Sequence, residues 1–492
     1  MKNKILAIDL GTQSVRAALV TPTGQIEAVA LVNHEVDSPH DNWAQQSPVE
    51  WWMKVQQVVK ELLSKSKIIC DEIAAVACCG QMHGPTGIDS DGNVTTLMSQ
   101  LWCDKRNQDI VEQVRSSHNL ENLMKITANP PTTGWVGMKV KWEKENRLDV
   151  YNRSKWFLVP KDYVNFKLTG IAATDPSEGS GTYLWDCERE QYSEEMAKLL
   201  DIDVSKFPPV FKSYEIIGKV TKEASEKTEI PEGTPVVAGG GDFVVSLLGL
   251  GLVEPGTAID MTGTSTLFVF QKQKPIIHPS VQNLHHVLDG WIPFIMLDSG
   301  GLSMKWMKDV IDVATEEKIT FEKLISLAES IPPGSDGLIF YPYLLGERNP
   351  DNSGAKGIFL NLTVNHTAAH MARAVIEGVV LALAREIQNF RDLGVPFKKV
   401  ILTGGATRNK LLNTLKANIW NVNVTVTDEP ESSLQGAGLL GALGVGLIDS
   451  ISKIPTSGKN VIINPEAELV EKYKHIAKMF NRFYNHMIGY WM

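Results

Sequence analysis

The chain writes one phrase twice, and that repetition limits its fold more than any other feature. Ala7-Ile8-Asp9-Leu10-Gly11-Thr12-Gln13-Ser14 stands near the start, and Ala258-Ile259-Asp260-Met261-Thr262-Gly263-Thr264-Ser265-Thr266 opens the second half. Each copy enters on a β-rich run, breaks at a Gly-Thr pair and leaves on a second β-rich run, Val15 to Val20 or Leu267 to Phe270. That pattern predicts a hairpin with a hydroxyl-bearing tip. Glycine lets backbone N–H groups come close to an anion, and the neighbouring threonine adds a donor, so each tip suits a phosphate. Two such tips facing each other would hold a polyphosphate from both sides, and the repeat points to duplication of a large unit.

The rest of the chain fits two similar α/β units. Its 492 residues exceed what one core usually supports. Ile5 to Val32 reads as strand, turn, strand, turn, strand, with Pro22-Thr23-Gly24 at the second turn. A helical pattern from Pro48 to Ser64 and an apolar run from Ile73 to Ala77 follow, and the strand Thr234 to Ala238 leads into Gly239-Gly240-Gly241-Asp242. From Gly256 the order restarts. A hairpin spans Ala258 to Gln271, a long helix runs from Ala368 to Asp392 with Gly378 as a close-packing point, and the strand Lys399 to Thr403 opens into Gly404-Gly405. Pro465 to Met492 reads as an amphipathic helix on the second unit. The expected boundary gives domains 1–247 and 248–492. Gly436 and Gly438 are read as helix-packing glycines.

Charge and cysteine usage restrict the partners. A formal net charge of −9 offers no basic footprint for nucleic acid or an anionic membrane, and no apolar run approaches the ~20 residues of a membrane span. Any phosphate must then be gripped locally, by loops and a metal. Cys70, Cys78, Cys79, Cys103 and Cys187 show no metal-ligand spacing and cannot all pair within one chain. The start reaches Asp9 before a signal core could form, so the expectation is a cytoplasmic protein without nucleic-acid or membrane partners. Its oligomeric state is open, with a homodimer as the form considered.

Several phrases, in this order, carry a resemblance: Asp9 to Arg16, Gln81-Met82-His83-Gly84, Trp102-Cys103-Asp104-Lys105-Arg106, Pro160-Lys161-Asp162-Tyr163, Gly239 to Asp242, Thr262 to Ser265, Gly346-Glu347-Arg348 and Thr403-Gly404-Gly405-Ala406. The chain resembles the FGGY carbohydrate kinases of the actin-like ATPase superfold, and within them it is most similar to xylulokinases. The resemblance implies an α/β fold of two ribonuclease-H-like domains with a catalytic cleft between them, and transfer of the γ-phosphate of ATP to a hydroxyl of a small sugar, D-xylulose becoming D-xylulose 5-phosphate. It implies Asp242 as the base that accepts the hydroxyl proton, a role an aspartate after a glycine run can fill where a strand meets a phosphate; on sequence alone such an aspartate can equally cap a helix. Asp9 would hold Mg²⁺ through water. Gly11, Thr12 and Gln13 would meet the transferred phosphate, and Gly263 and Thr264 would reach it from the other domain. Gly404, Gly405 and Ala406 would form the turn under the adenosine, with Asn409 near the base.

For the sugar, the resemblance places Gln81, Met82 and His83 along it, with Trp102 and Asp104 in the same lobe; Trp102 as core and Asp104 with Arg106 as a surface pair are the plainer readings. Phe243 departs from the pattern, because xylulokinases usually carry an asparagine there that helps hold the sugar, and Cys103 departs as well. A benzyl group neither donates nor accepts, which costs about 1–3 kcal/mol for a sugar expecting that bond. Another ketose, a polyol or a sugar acid is therefore the alternative substrate. An actin-like or chaperone-type ATPase with no sugar is the alternative of another class, disfavoured by the sugar-facing phrases.

Overall fold

A computed structural model describes residues 2–66, 72–347, 354–395, 397–427, 430–451 and 460–491. The first repeat folds into β1 (Lys4–Leu10), β2 (Ser14–Val20) and β3 (Ile26–Asn33), an antiparallel meander. Helix α1 (Pro48–Lys65) starts on an N-cap at Ser47, whose hydroxyl accepts from Glu50 N, and has proline in its first turn; it buries Trp51, Val55, Val58 and Leu62 against the sheet. It leads to β4 (Ile73–Gly80), parallel to β1; β6 (Pro235–Gly241) adds parallel to β4, and β5 (Ile216–Lys219) closes the edge antiparallel. The order is β5-β6-β4-β1-β2-β3.

The second half repeats this plan. β7 (Thr257–Thr262), β8 (Thr266–Phe270) and β10 (Trp291–Leu297) form the meander, with β9 (Gln282–His285) added at its edge. β11 (Lys399–Thr403) and β12 (Asn423–Val426) run parallel to β7, and β13 (Val461–Ile463) closes antiparallel. The order β9-β10-β8-β7-β11-β12-β13 matches the first sheet strand for strand, apart from the extra edge strand. The long helix falls over Ala368–Asp392 as its pattern predicts, and a Cβ at Gly378 would overlap the Phe340 carbonyl. The C-terminal helix over Ala467–Trp491 packs on the second lobe, where Tyr473 donates to Glu377 at 2.6 Å.

Two features depart from the sequence pattern. The Gly239-Gly240-Gly241 run lies inside β6 instead of following it, with an irregularity between Val237 and Gly240. Gly239 has φ 71°, and a Cβ there would overlap the Cys78 carbonyl, so only glycine lets the strand lie this close. The other feature joins the lobes. Helix α7 (Ser432–Gly444), late in the second half, lies along the first sheet and crosses α4 (Asp242–Gly249) at backbone contact: a Cβ at Gly436 would overlap the Val245 carbonyl, and one at Gly249 the Ser432 carbonyl. Apolar burial follows this crossing. One cluster runs from Ile5 and Ala7 through Val245 and Leu434 to Ile259 and Ile401, so both sheets share it, while each lobe keeps a further core of its own.

Candidate active site

Strand register brings the candidate residues of the first half together. Leu10 pairs with Gly80, Gly80 with Gly241, and Gln81 N donates to Leu10 O at 2.8 Å, so Asp9, Gln81 to His83 and Asp242 leave neighbouring strands at their C-terminal ends. Ligands of open α/β sheets bind at that end. Asp242 is half-buried, begins α4, and its Oδ1 accepts from Phe243 N at 2.6 Å. Loss of hydration, and secondly the Asp9 carboxylate, push the Asp242 carboxyl up to about 7.

Asp9 is buried. Its Oδ2 accepts from Arg16 and, at 2.7 Å, from Ser433 Oγ, while Oδ1 has no partner among the described residues. Arg16 stands opposite Asp9 in the hairpin register and its other amino group bonds Glu431 at 2.8 Å. The second half thus reaches the Asp9 carboxylate directly, through the start of α7. A free oxygen on a buried carboxylate, next to a second carboxylate that repels it, suits a hard divalent cation that keeps several waters and takes its remaining ligands from phosphates.

Around Thr12 the structure builds a braced tip. Gly11 N donates to Ser14 O, His34 Nε2 to Gly11 O at 2.8 Å, and Gln46 Nε2 to Thr12 O at 2.8 Å. Thr12 Oγ1 donates to Gln81 Oε1 at 3.3 Å and accepts from Trp102 Nε1 at 3.2 Å. Gln81 and Trp102, which the resemblance assigns to the sugar, therefore bond the Gly11-Thr12 tip; Gln13 is exposed. Met82 packs where a Cβ of Gly241 would lie, 2.5 Å from its sulfur, and so borders Asp242. His83 takes φ 67°, stands edge-on to Trp135 and leaves Nδ1 unpartnered among the described residues. Asp104 and Arg106 do pair, at 2.7 Å, but in the interior, and Asp104 also accepts from Ala44 N. The Phe243 ring lies edge-on to Phe294 of β10, 5.4 Å between centroids, against the opposite lobe.

In the second half, Gly263 and Thr264 form an exposed tip closed by Gly263 N to Ser265 O. Gly404 has φ 91°, and a Cβ there would stand 2.6 Å from Thr262 O, so the Gly404-Gly405-Ala406 turn leans on the base of this tip, with open space above Gly405. Asn409 is buried and its Oδ1 caps α6 (Lys410–Trp420) through Leu412 N, which leaves its amide N–H₂ for other partners. Asp260, the twin of Asp9, is buried and paired with Lys416 of the same helix. Arg348 of the Gly346-Glu347-Arg348 phrase, like Cys70, lies outside the described residues.

The N-terminal domain of the FGGY family of carbohydrate kinases matches residues 4–249 and its C-terminal domain residues 261–445. The chain belongs to that family. It is a carbohydrate kinase, with ATP as the phosphoryl donor. Among curated proteins it is similar to a xylulose kinase of Bacillus subtilis (28% identical over 489 residues, 98% of this chain and 97% of the relative) and to a gluconokinase of the same organism (26% over 497 residues, 98% and 95%). Among solved structures it is similar to a xylulose kinase from Rhodospirillum rubrum, with a TM-score of 0.93 at 26% identity over 99% of both chains. Membership of this family answers the alternative of a sugar-independent ATPase. Among the described residues no helix is long and apolar enough to cross a membrane.

Sequence reasoning did not reach Gln46, Glu178, Lys416 or Ser433. Arg16 was within reach: in a hairpin whose two-residue tip is Thr12-Gln13, position 16 faces position 9. Ser433 carried no signal, because nothing local tells that α7 returns to the first lobe.

Proposed function

We propose that this FGGY kinase transfers the γ-phosphoryl group of ATP to D-xylulose, giving D-xylulose 5-phosphate. The observation that carries the reading is the pair of carboxylates at the strand ends, Asp242 with its raised proton affinity and Asp9 with one free oxygen. The sugar lies against Met82 and His83 with its reacting hydroxyl at Asp242, which accepts the proton as the bond to phosphorus forms. Backbone N–H groups and hydroxyls of Gly11, Thr12 and Gln13 hold the transferred group from one lobe, and Gly263 and Thr264 from the other. Gly404, Gly405 and Ala406 support the nucleotide, with the Asn409 amide facing the base. Asp9 would hold Mg²⁺, which when bound neutralises charge on the phosphates. The lobes, taken as 1–247 and 248–492, close over the substrates and exclude water. The free thiols Cys78, Cys79, Cys103 and Cys187 fit work in the cytoplasm, and the assembly considered is a homodimer.

Support for xylulose comes from the relatives named xylulose kinases, of Bacillus subtilis and of Lactococcus lactis, the latter 29% identical over 494 residues. Phe243 favours a second reading, in which the acceptor is another ketose, a polyol or a sugar acid: its ring is lodged against Phe294 and offers no hydrogen bond. Turnover on a panel of ketoses, polyols and aldonic acids, followed by coupled ADP release, separates them. D-Xylulose is expected to give the highest kcat/KM; an equal or higher value on another acceptor overturns the substrate.

A further inference from the structure

Behind Met82 and His83 the first lobe buries a group of charges that the reading above leaves unused. Lys161 bonds Asp162 and lies 3.0 Å from Asp175 Oδ1. Asp175 Oδ2 accepts from Ser177 N, Ser177 Oγ and Ser213 Oγ, and Ser177 Oγ in turn accepts at 3.0 Å from Gly241 N, the residue before Asp242. Glu178 differs from these. It is 1% exposed, and neither of its carboxyl oxygens has a hydrogen-bond partner among the described residues. A buried carboxyl left this way is costly, and native proteins seldom keep one unless something else completes it.

The short helix α3 (Pro176–Ser180) carries Glu178. Ser177 faces β6 through Gly241 N, and Gly179 faces the Trp185 ring, 2.8 Å from where its Cβ would be. Gly181, just past the end of this helix, lies against the His83 imidazole, which a Cβ there would overlap. Glu178 thus belongs to a short segment held between Gly241 N on one side and the His83 imidazole on the other. Lys161, Asp162, Asp175 and Asp242 all act on its carboxyl, as does Lys139 of α2 (Val136–Asn146), whose buried Nζ donates to His83 O at 2.9 Å.

We propose that Glu178 is a specificity-determining residue of the acceptor site, its carboxyl holding a sugar hydroxyl that neighbours the one phosphorylated. The assignment rests on the sugar-kinase reading with Asp242 as base. A carboxyl with two unused oxygens suits a polyhydroxylated acceptor, since each oxygen accepts from a hydroxyl and, when protonated, one donates back. Burial holds the proton on Glu178 more tightly than on an ordinary glutamate.

The test crosses enzyme variants with substrate variants. Wild type, Glu178→Gln and Glu178→Ala are assayed on D-xylulose and on its 3-deoxy and 4-deoxy analogues, with sugar and ATP affinities measured separately by calorimetry. Glu178→Ala is expected to weaken D-xylulose binding at least tenfold with ATP affinity unchanged. The loss should shrink below threefold on the analogue lacking the hydroxyl that Glu178 holds. Glu178→Gln keeps the volume and carries the same comparison where the alanine variant does not fold. Unchanged sugar affinity, or an equal loss on all three sugars, overturns the assignment while leaving the kinase reading intact. A wild type that neither binds nor phosphorylates any sugar overturns both.

Discussion

Asp242 and Phe243 are adjacent in sequence and face different tasks. The Asp242 carboxyl sits in a poorly hydrated place beside Asp9, so its affinity for a proton is raised toward neutrality. A base must be unprotonated to act, and kcat/KM for the sugar is expected to fall as pH drops below about 7. The same shift acts on stability with a definite sign. The folded protein keeps this proton up to about 7 whereas the unfolded chain releases it near 4, so the charged form costs stability above 7 and the cost vanishes as pH falls toward 4. Asp242→Asn should therefore raise Tm at pH 8 by about 1–3 °C and leave it unchanged near pH 4; a lower Tm at pH 8 would show that the charge is well accommodated. Phe243→Asn gives up an aromatic contact across the lobes and adds a hydrogen-bonding group next to Asp242. KM for D-xylulose is expected to fall about tenfold, together with Tm. A KM that stays or rises means another residue already supplies that bond.

Hairpin tips and glycine-lined crossings are the elements that make the site. Both tips were legible, because a Gly-Thr break between β-rich runs has few other meanings, and Asp9 facing Arg16 follows from the hairpin register. The bracing of Thr12 was not. Gln46, Gln81 and Trp102 converge on it from three separate segments: Gln46 carried no reading in the sequence, while Gln81 and Trp102 were placed at the sugar, and the plainer reading of Trp102 as core fails because its ring is exposed. Asp104 was placed at the sugar, with a surface pair to Arg106 as the plainer reading; the pair forms, but in the interior, with the Arg106 guanidinium 3.6 Å over the Trp43 ring. The packing role of Gly436 follows from its α7 context and can be tested. Gly436→Ala pushes a methyl group into the Val245 carbonyl and should cost about 1–3 kcal/mol, seen as a lower Tm in thermal unfolding. An unchanged Tm would mean that α4 and α7 can separate without loss.

At the scale of the molecule, duplication was readable from two copies of one phrase, and the matching strand orders of the two sheets follow it. What sequence could not supply is the exchange between lobes. Helix α7 leaves the second half, buries its glycine-rich face on the first sheet and delivers Ser433 to Asp9, a long-range placement without local signature. Arg16, bonded to both Asp9 and Glu431, and Ser433, bonded to Asp9, join the halves at this carboxylate, so a shift of one lobe against the other changes its bonding. Hydrolysis of ATP should accordingly stay slow until a sugar is bound, rising on the order of a hundredfold with D-xylulose present; sugar-independent hydrolysis at the full rate would contradict closure. The most direct measurement follows the phosphorus itself. ³¹P NMR of ATP with D-xylulose and wild-type enzyme is expected to show D-xylulose 5-phosphate accumulating, while Asp242→Asn, with ATP affinity intact, forms it about 10²–10⁴ times more slowly. Product formation by Asp242→Asn within tenfold of wild type would contradict the claim that this carboxylate takes the proton.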